Sequence, residues 1–206
     1  MTFPNLELER ELLKKHSAVI GIDEVGRGSL AGPIAVGAFV LTKMALENQP
    51  ESLQDSKLIR ENKREAVAEL VSAWGQSSVG YVEASKIDEH GIVHALKTAG
   101  LISLSELEVE DAVILLDGNQ NWLEKQNVII RTKADRDCAS VAAASVIAKV
   151  SRDRLMTELS ASYPHYGFES NKGYSSPDHI QAIREFGPCE IHRKTWLTNI
   201  LSEGLF

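Results

Sequence analysis

The sequence predicts an α/β protein with a mixed five-stranded sheet, helices that flank the sheet and further helices towards the C-terminus. Three observations support this prediction. Five short apolar runs, each too short for a typical helix, alternate with segments in which apolar residues recur at helical spacing. The 206 residues, 43% of them apolar, are enough to bury one sizeable core. Two of the apolar runs lead directly into carboxylates, which open sheets of this class present at one edge.

The first half of the sheet follows a short arm at the N-terminus. Leucines among charged residues before position 16 indicate a short amphipathic helix, and the first strand is expected from Ala18 to Val25. Pro33 to Leu41 is apolar and β-branched, which predicts a second strand antiparallel to the first. Arg60 to Trp74 has helical spacing and ends before Gly75, where a helix can stop.

The second half continues the alternation of strands and helices. Ser78 to Ala84 predicts a third strand, and Ser85 with Asp88 resembles a capping box that opens a helix towards Leu104. Two more strands are expected at Ala112–Leu116 and Val128–Arg131. A long helix then runs from Ala139 to about Ser160. We expect the strand that carries Asp23 to be central and to lie beside the strand that ends at Asp117.

We find no repeat, low-complexity segment or linker, so one domain is expected over residues 1–206. Within it, residues 1–16 form the arm and about residues 165–206 form a helical part that contacts substrate.

The stretch from Val19 to Pro33 is the most informative. An apolar strand runs into Asp23 and Glu24, which would cost several kcal/mol each if they were buried and ionised without a partner. The turn Gly26-Arg27-Gly28 follows, where backbone N–H groups can approach a ligand and Arg27 can neutralise a phosphate. Together these features predict a divalent cation bound by carboxylates next to a turn that contacts phosphate. A dinucleotide site is the alternative, but that motif must open a helix, whereas a strand is expected here.

Two more acids are placed for the same chemistry. Asp117 follows a buried strand, and Asp135 stands just before the long helix, where it could instead stabilise the helix dipole, as could Asp137. A regular strand would send Asp23 and Glu24 to opposite faces. We therefore expect the strand to end or bulge at Glu24.

Charge and cysteine content bear on partners and compartment. The net charge is −7, yet the segment from Lys125 to Arg154 contains seven Lys or Arg and three Asp, a local charge of +4. The pair Cys138 and Cys189 lacks metal-ligand spacing and indicates reduced thiols in a cytoplasmic protein. No apolar run approaches the roughly 18 residues of a membrane-spanning helix.

These motifs together resemble those of a known family. Gly21–Pro33, read as Gly-Ile-Asp-Glu-Val-Gly-Arg-Gly-Ser-Leu-Ala-Gly-Pro, is similar to the signature of bacterial ribonuclease HII, a type 2 ribonuclease H. The resemblance extends from about residue 17 to residue 197. Its other blocks occur in the family's order: Asp55-Ser56-Lys57, Leu116-Asp117-Gly118, Lys133-Ala134-Asp135, Ala142–Asp153, Lys172-Gly173-Tyr174 and Ile191–Lys194.

The resemblance implies a ribonuclease H-like fold and an endonuclease that hydrolyses the RNA strand of RNA/DNA hybrids. It also implies incision 5′ of single ribonucleotides in duplex DNA, with 3′-hydroxyl and 5′-phosphate ends. Two Mg²⁺ or Mn²⁺ ions would be held by four carboxylates, namely Asp23, Glu24, Asp117 and Asp135. The residues expected to bind substrate are Gly26, Arg27, Gly28, Lys57, Lys172, Tyr174, Arg193 and Lys194. We expect the segment with a local charge of +4 to contact phosphates, together with the three lysines and Arg193.

The sequence departs from the family at Leu58, where a second Lys is usual, which puts one backbone contact in doubt. The short arm lacks the extra domain of ribonuclease HIII and favours HII. We expect a monomer. The end of the chain, Leu205-Phe206, faintly resembles a sliding-clamp peptide without its Gln, and a frayed tail is the favoured interpretation. A module that binds hybrids without cleaving them is the alternative from another functional class.

Overall fold

The computed structural model describes residues 3–202, so Leu205-Phe206 lies outside the described residues. One mixed sheet has the strand order β3-β2-β1-β4-β5. The strands are β1 (Ala18–Val25), β2 (Ile34–Thr42), β3 (Ser77–Val82), β4 (Ala112–Asp117) and β5 (Val128–Arg131). The five-stranded α/β prediction is therefore confirmed, with strand boundaries within two residues of those expected.

Strand β1 is central, as predicted. It pairs antiparallel with β2 and parallel with β4, and β5 continues the parallel half of the sheet. Parallel strands bring their carboxyl ends to the same edge. The ends of β1 and β4, and with them Asp23 and Asp117, therefore lie side by side.

Helices cover both faces of the sheet. The α-helices are α1 (Glu7–Leu12), α2 (Glu61–Trp74), α3 (Ala84–His90), α4 (Ile92–Ser105), α5 (Ala134–Asp137), α6 (Ala139–Ser160), α7 (Phe168–Asn171), α8 (Pro177–Phe186) and α9 (Thr198–Ser202). Helices α2 and α6 pack against one face and α4 against the other, so each face has its own apolar core. None of the helices in residues 3–202 is long and apolar enough to cross a membrane.

The helix expected from Ser85 towards Leu104 is wrong in two respects. It is interrupted at Gly91, whose φ of +82° ends α3 before α4 begins. No side chain caps the start of α3, so the expected capping box does not form. The carboxylate of Asp88 instead accepts hydrogen bonds from the backbone N–H groups of Lys194 (2.7 Å) and Thr195 (3.2 Å).

Helix α6 lies directly on the sheet because glycines and alanines meet where it crosses β1 and β2. A Cβ at Gly21 would lie 2.2 Å from the carbonyl carbon of Ser140, and one at Gly37 would lie 2.5 Å from the carbonyl oxygen of Ala144. The small-residue run Ala142–Ser145 is fully buried against them. This close packing fixes the distance between α6 and the central strands. It also positions the residues just before α6 relative to those strands.

The N-terminal arm secures the start of α6. The buried carboxylate of Glu9 accepts hydrogen bonds from the backbone N–H and the hydroxyl of Ser140, both at 2.9 Å. Burial raises the pKa of Glu9, although the bonds from Ser140 oppose the shift. The acid that accepts hydrogen bonds from the first turn of α6 is thus Glu9, which the sequence did not indicate for this role.

Candidate active site

The first two acids of the site lie at the carboxyl ends of neighbouring parallel strands. Ile22 of β1 pairs with Leu116 of β4, so Asp23 and Asp117 are the next residues along each strand. The backbone N–H of Ala134 donates to Asp117 Oδ1 at 2.7 Å, which ties the segment before α6 to the end of β4. Asp135 is thereby brought to the same edge.

Asp23 is buried among the other carboxylates. Burial raises its pKa well above the ordinary value of 3.8, and the negative charges of Glu24, Asp135 and Asp117 raise it further. Burial and the charge of Asp135 also raise the pKa of Asp117. Because the charges of Glu24, Asp117 and Asp135 all act on Asp23, the four acids form one electrostatic cluster.

Glu24 joins this cluster without the distortion that the sequence led us to expect. Strand β1 continues regularly through the acids, with Asp23 opposite Gly37 and Glu24 opposite Val36, so the expected end or bulge is wrong. The carboxylate of Glu24 is 3.3 Å from a guanidinium nitrogen of Arg27. It nevertheless lies close enough to Asp23 to raise the pKa of that carboxyl.

Lys57 supplies positive charge to the cluster, with its ammonium 3.2 Å from Asp135 Oδ2. Partial burial acts to lower the pKa of Lys57, but the charges of Asp55, Asp23 and Asp135 outweigh it and the pKa is raised. Lys57 and Arg27 together cannot balance four acids. The cluster therefore retains an excess of negative charge that a hard divalent cation would neutralise.

The donor set is suited to Mg²⁺ or Mn²⁺, because all four predicted ligands offer carboxylate oxygens and no sulfur or imidazole. In residues 3–202, no three His, Cys, Asp or Glu side chains are already arranged to hold a metal ion. The assignment of Asp23, Glu24, Asp117 and Asp135 as ligands therefore stays a prediction.

The Gly-Arg-Gly turn lies next to the carboxylates, and its two glycines serve different purposes. Gly26 has a φ of +83°, and a Cβ there would lie 2.2 Å from Nε of Arg152. A Cβ on Gly28 would meet no protein atom within 4 Å. Gly26 is thus required by the fold, whereas Gly28 faces open space in which a ligand can approach the backbone.

Arg193 holds the turn from inside the protein. Its guanidinium donates to the carbonyl oxygens of Gly26 (2.7 Å) and Arg27 (3.0 Å), and the side chain is fully buried. Burial, followed by the charge of Arg152, lowers the pKa of Arg193 to about 9. The prediction that Arg193 contacts phosphate is therefore corrected, because it cannot reach solvent and its donors are engaged.

Tyr174 lies against the same turn. Its phenol oxygen accepts a hydrogen bond from the backbone N–H of Gly26 at 3.1 Å. The guanidinium carbon of Arg152 is 5.4 Å from the ring centroid, and the ammonium of Lys149 is 5.7 Å away. The ring is partly exposed beside the turn, where a nucleotide could meet both.

The segment with a local charge of +4 is less available than its sequence indicates. Arg152 is buried and donates to backbone carbonyls, including those of Pro33 and Ala31. Arg154 pairs with Glu65 and Arg136 with Asp137. The expectation that this whole segment faces phosphate is corrected.

The remaining lysines are more accessible. Lys194 is exposed, and the half-buried Lys172 donates to Thr157 Oγ1 at 2.8 Å. Their phosphate contacts, like that of Lys57, stay predictions.

Sequence reasoning missed two buried histidines beneath Tyr174. His179 Nδ1 is 2.8 Å from the carbonyl oxygen of Tyr174, and the Nε2 atoms of His179 and His192 are 3.1 Å apart. The signal in the sequence was weak, because the two histidines are separated by twelve residues and meet only through the fold of the C-terminal part.

These histidines predict a loss of stability in acid. Burial, followed by the charge of His179, lowers the pKa of His192 from its ordinary 6.5 to about 4, and burial also lowers that of His179. The unfolded chain therefore binds more protons, and stability should fall as the pH drops from about 6.5 towards 4. We expect His192→Gln to flatten this dependence of the urea midpoint on pH, whereas the exposed His94→Gln should not. Parallel curves for all three proteins would contradict the prediction.

A mixed five-stranded sheet that gathers four carboxylates beside a Gly-Arg-Gly turn defines a nuclease of the ribonuclease H type. The family model described as ribonuclease HII matches residues 20–199. The ribonuclease HII of Caldicellulosiruptor bescii is 40% identical over 200 residues, which cover 95% of each chain. The chain belongs to the ribonuclease HII family, as its sequence motifs predicted, and it is an endonuclease of RNA/DNA hybrids.

Solved structures agree with this assignment. Ribonuclease H2 of Pyrococcus horikoshii OT3 superposes with a TM-score of 0.76 at 27% identity, covering 91% of this chain and 98% of that one. The ribonuclease HII in a complex with PCNA from Archaeoglobus fulgidus gives a TM-score of 0.73 at 26% identity, covering 87% and 95%. The ribonuclease H-like fold is thus confirmed.

Proposed function

We propose that this endonuclease, besides cutting the RNA strand of hybrids, incises duplex DNA on the 5′ side of a single ribonucleotide and leaves 3′-hydroxyl and 5′-phosphate ends. The observation that carries the proposal is the hydrogen bond from Gly26 N–H to the Tyr174 phenol. Gly26 lies only three residues after Asp23 in the chain. It puts a candidate sugar sensor beside the acids that would carry the chemistry.

Asp23, Glu24, Asp117 and Asp135 would hold two Mg²⁺ or Mn²⁺ ions. When bound, such ions activate a water and stabilise the charge that develops on the phosphate and on the leaving 3′-oxygen. The chain's own contribution is to keep four acids together at one sheet edge. Ala134 N–H orients Asp117, and Lys57 orients Asp135.

Recognition of one ribonucleotide requires a sensor for its 2′-hydroxyl, because this is the group that distinguishes ribose from deoxyribose. Backbone groups of Gly26, Arg27 and Gly28 can approach that hydroxyl closely. Within residues 3–202 the Tyr174 phenol oxygen accepts from Gly26 N–H and its own O–H meets no acceptor, so it can donate to the substrate. Its ring would stack on the sugar of the next nucleotide, which a second 2′-hydroxyl would crowd.

A methyl group at Gly28 tests the approach of substrate to the turn. Gly28→Ala should leave the melting temperature unchanged, because the added Cβ meets no protein atom within 4 Å. It should raise KM for duplexes with one ribonucleotide, since the methyl occupies space that the sugar needs. Thermal melts and steady-state kinetics measure both effects. Gly26→Ala is the matched contrast, because its methyl would collide with Arg152 and lower the stability. Unchanged KM in Gly28→Ala would remove this residue from the sensor.

The experiment that tests catalysis against mere binding uses a labelled RNA/DNA hybrid and a titration of Mg²⁺ or Mn²⁺. We expect cleavage to appear with metal and binding to persist without it. A protein that binds the hybrid but does not cut it at any concentration of either ion would be the non-catalytic module.

Accessible lysines would hold the duplex by its phosphates, without reading sequence. Those in suitable positions are Lys57, Lys172 and Lys194. We propose one catalytic domain in which the C-terminal helical part contributes Tyr174. The PCNA complex of the Archaeoglobus fulgidus relative makes a sliding clamp a candidate partner for this chain.

A further inference from the structure

Hydrogen bonds join Tyr174 to the Gly-Arg-Gly turn by two routes. We call the two routes together the circuit. On one side, Gly26 N–H donates to the Tyr174 phenol at 3.1 Å. On the other side, the Tyr174 carbonyl bonds to His179 (2.8 Å), His179 bonds to His192 (3.1 Å), and the next residue, Arg193, donates back to the Gly26 carbonyl at 2.7 Å. Ring and backbone of the tyrosine are thus both tied to the turn.

The direction of each bond in the circuit follows from its two ends. The carbonyl of Tyr174 can only accept, so Nδ1 of His179 carries hydrogen, and in a neutral ring its Nε2 is then an acceptor. Nε2 of His192 must therefore donate, which leaves its Nδ1 as an acceptor. The other end agrees independently, because Cys189 N–H donates to that Nδ1 at 3.0 Å.

The histidine part of the circuit is sealed from solvent. His179 is 0% exposed and His192 is 1% exposed. The rings of Tyr166 and Phe168 pack against both histidines, with Tyr166 centred 4.8 Å from His192 and Phe168 centred 5.3 Å from His179. A lost bond in this enclosure cannot be replaced by bulk water, so the tautomers are fixed by the protein.

We propose that His179 is a positioning residue for ribonucleotide recognition: it fixes the backbone of Tyr174, and so sets how the ring meets the nucleotide that follows the ribonucleotide. This inference rests on the proposed role of Tyr174 as the sensor. A junction, where the next sugar is deoxyribose, depends on that stacking. Cleavage inside a long hybrid depends on it less, because the next 2′-hydroxyl already crowds the ring.

The test measures kcat/KM on two substrates, a duplex with one ribonucleotide and a long hybrid. The quantity compared is the kcat/KM for the duplex with one ribonucleotide divided by the kcat/KM for the long hybrid. His179→Leu removes the donor to Tyr174 and should lower this ratio about fivefold, the loss expected for one hydrogen bond. His179→Asn offers an amide N–H in place of Nδ1 and should restore most of the ratio. His94→Leu, which makes the same change at an exposed histidine outside the circuit, should leave the ratio unchanged.

The outcomes distinguish a failure of the positioning role of His179 from a failure of the proposed sensor role of Tyr174. Equal losses on both substrates for His179→Leu, or an unchanged ratio, would overturn the positioning role. If Tyr174→Ala also leaves the ratio unchanged, the sensor itself is wrong and the failure lies with the proposed function. Should His179→Leu not fold, ¹⁵N NMR of wild-type histidines decides: hydrogen on Nδ1 of His179 and on Nε2 of His192 supports the circuit, and any other tautomer pair overturns it.

Discussion

Replacing Asp23 with asparagine is expected to reduce cleavage at least about a hundredfold and to make the metal-free protein more stable. The loss of activity follows from removing one charge from the acids that would hold the ions and stabilise the developing charge. The gain in stability follows from the environment of Asp23, which is buried beside three other carboxylates. Burial of its charge opposes folding, and the amide removes that charge.

The pH dependence of this gain has a definite sign. Because the folded protein raises the pKa of Asp23, the folded state binds more protons than the unfolded chain above the ordinary value of 3.8. The free-energy cost of burying the Asp23 charge is thus absent below about pH 3.8 and grows as the pH rises from there to the pKa of the folded state. The difference in melting temperature between Asp23→Asn and wild type should grow in the same direction.

Asp111→Asn is the matched control, at the opposite end of the same two strands. The hydrogen bond from His16, followed by one from Ser17, lowers the pKa of Asp111, so loss of this charge should lower the stability. Activity should be retained. Saturating Mg²⁺ should stabilise wild type more than Asp23→Asn. Near-wild-type cleavage by Asp23→Asn would refute the ligand assignment, whatever its stability.

Tyr174→Ala is expected to reduce cleavage at a single ribonucleotide on the order of a hundredfold, whereas Tyr174→Phe should cost roughly fivefold. Phenylalanine loses a hydrogen bond of about 1 kcal/mol and keeps the ring. Alanine also loses stacking, worth about 1–3 kcal/mol. The structure adds a reason for the effect of Phe, because the phenol also accepts the N–H of Gly26.

The two tyrosine variants should be compared on a junction substrate at saturating metal, with kcat and KM resolved. Thermal melts exclude unfolding as the cause. Intact junction cleavage by Tyr174→Ala would show that the ring does not sense the sugar.

The strands could be predicted because their apolar runs are short and bounded by turns, so local sequence determines them. The interruption at Gly91 could not, because the signature at Ser85 and Asp88 suits a helix start, whereas Asp88 binds a segment about a hundred residues away. The regular pairing of β1 through Glu24 was also missed. We expected a bulge because neighbouring residues of a strand point to opposite faces, but at the end of a strand two carboxylates can affect each other's charge without one.

The acids of the site were identifiable because a carboxylate after a buried strand needs a reason to be there. Arg152 and Arg193 were misinterpreted because a sequence does not tell an arginine that faces phosphate from one that is enclosed by carbonyls. Nor does it reveal Glu9 against Ser140 or His179 against His192, contacts that exist only once distant segments are packed.

The measurement that tests the central claim most directly is cleavage of a DNA duplex that contains one ribonucleotide, labelled at each end in turn. We predict one metal-dependent cut, on the 5′ side of the ribonucleotide, with a 3′-hydroxyl on one fragment and a 5′-phosphate on the other. Cleavage confined to tracts of several consecutive ribonucleotides, with this duplex left intact, would contradict the claim.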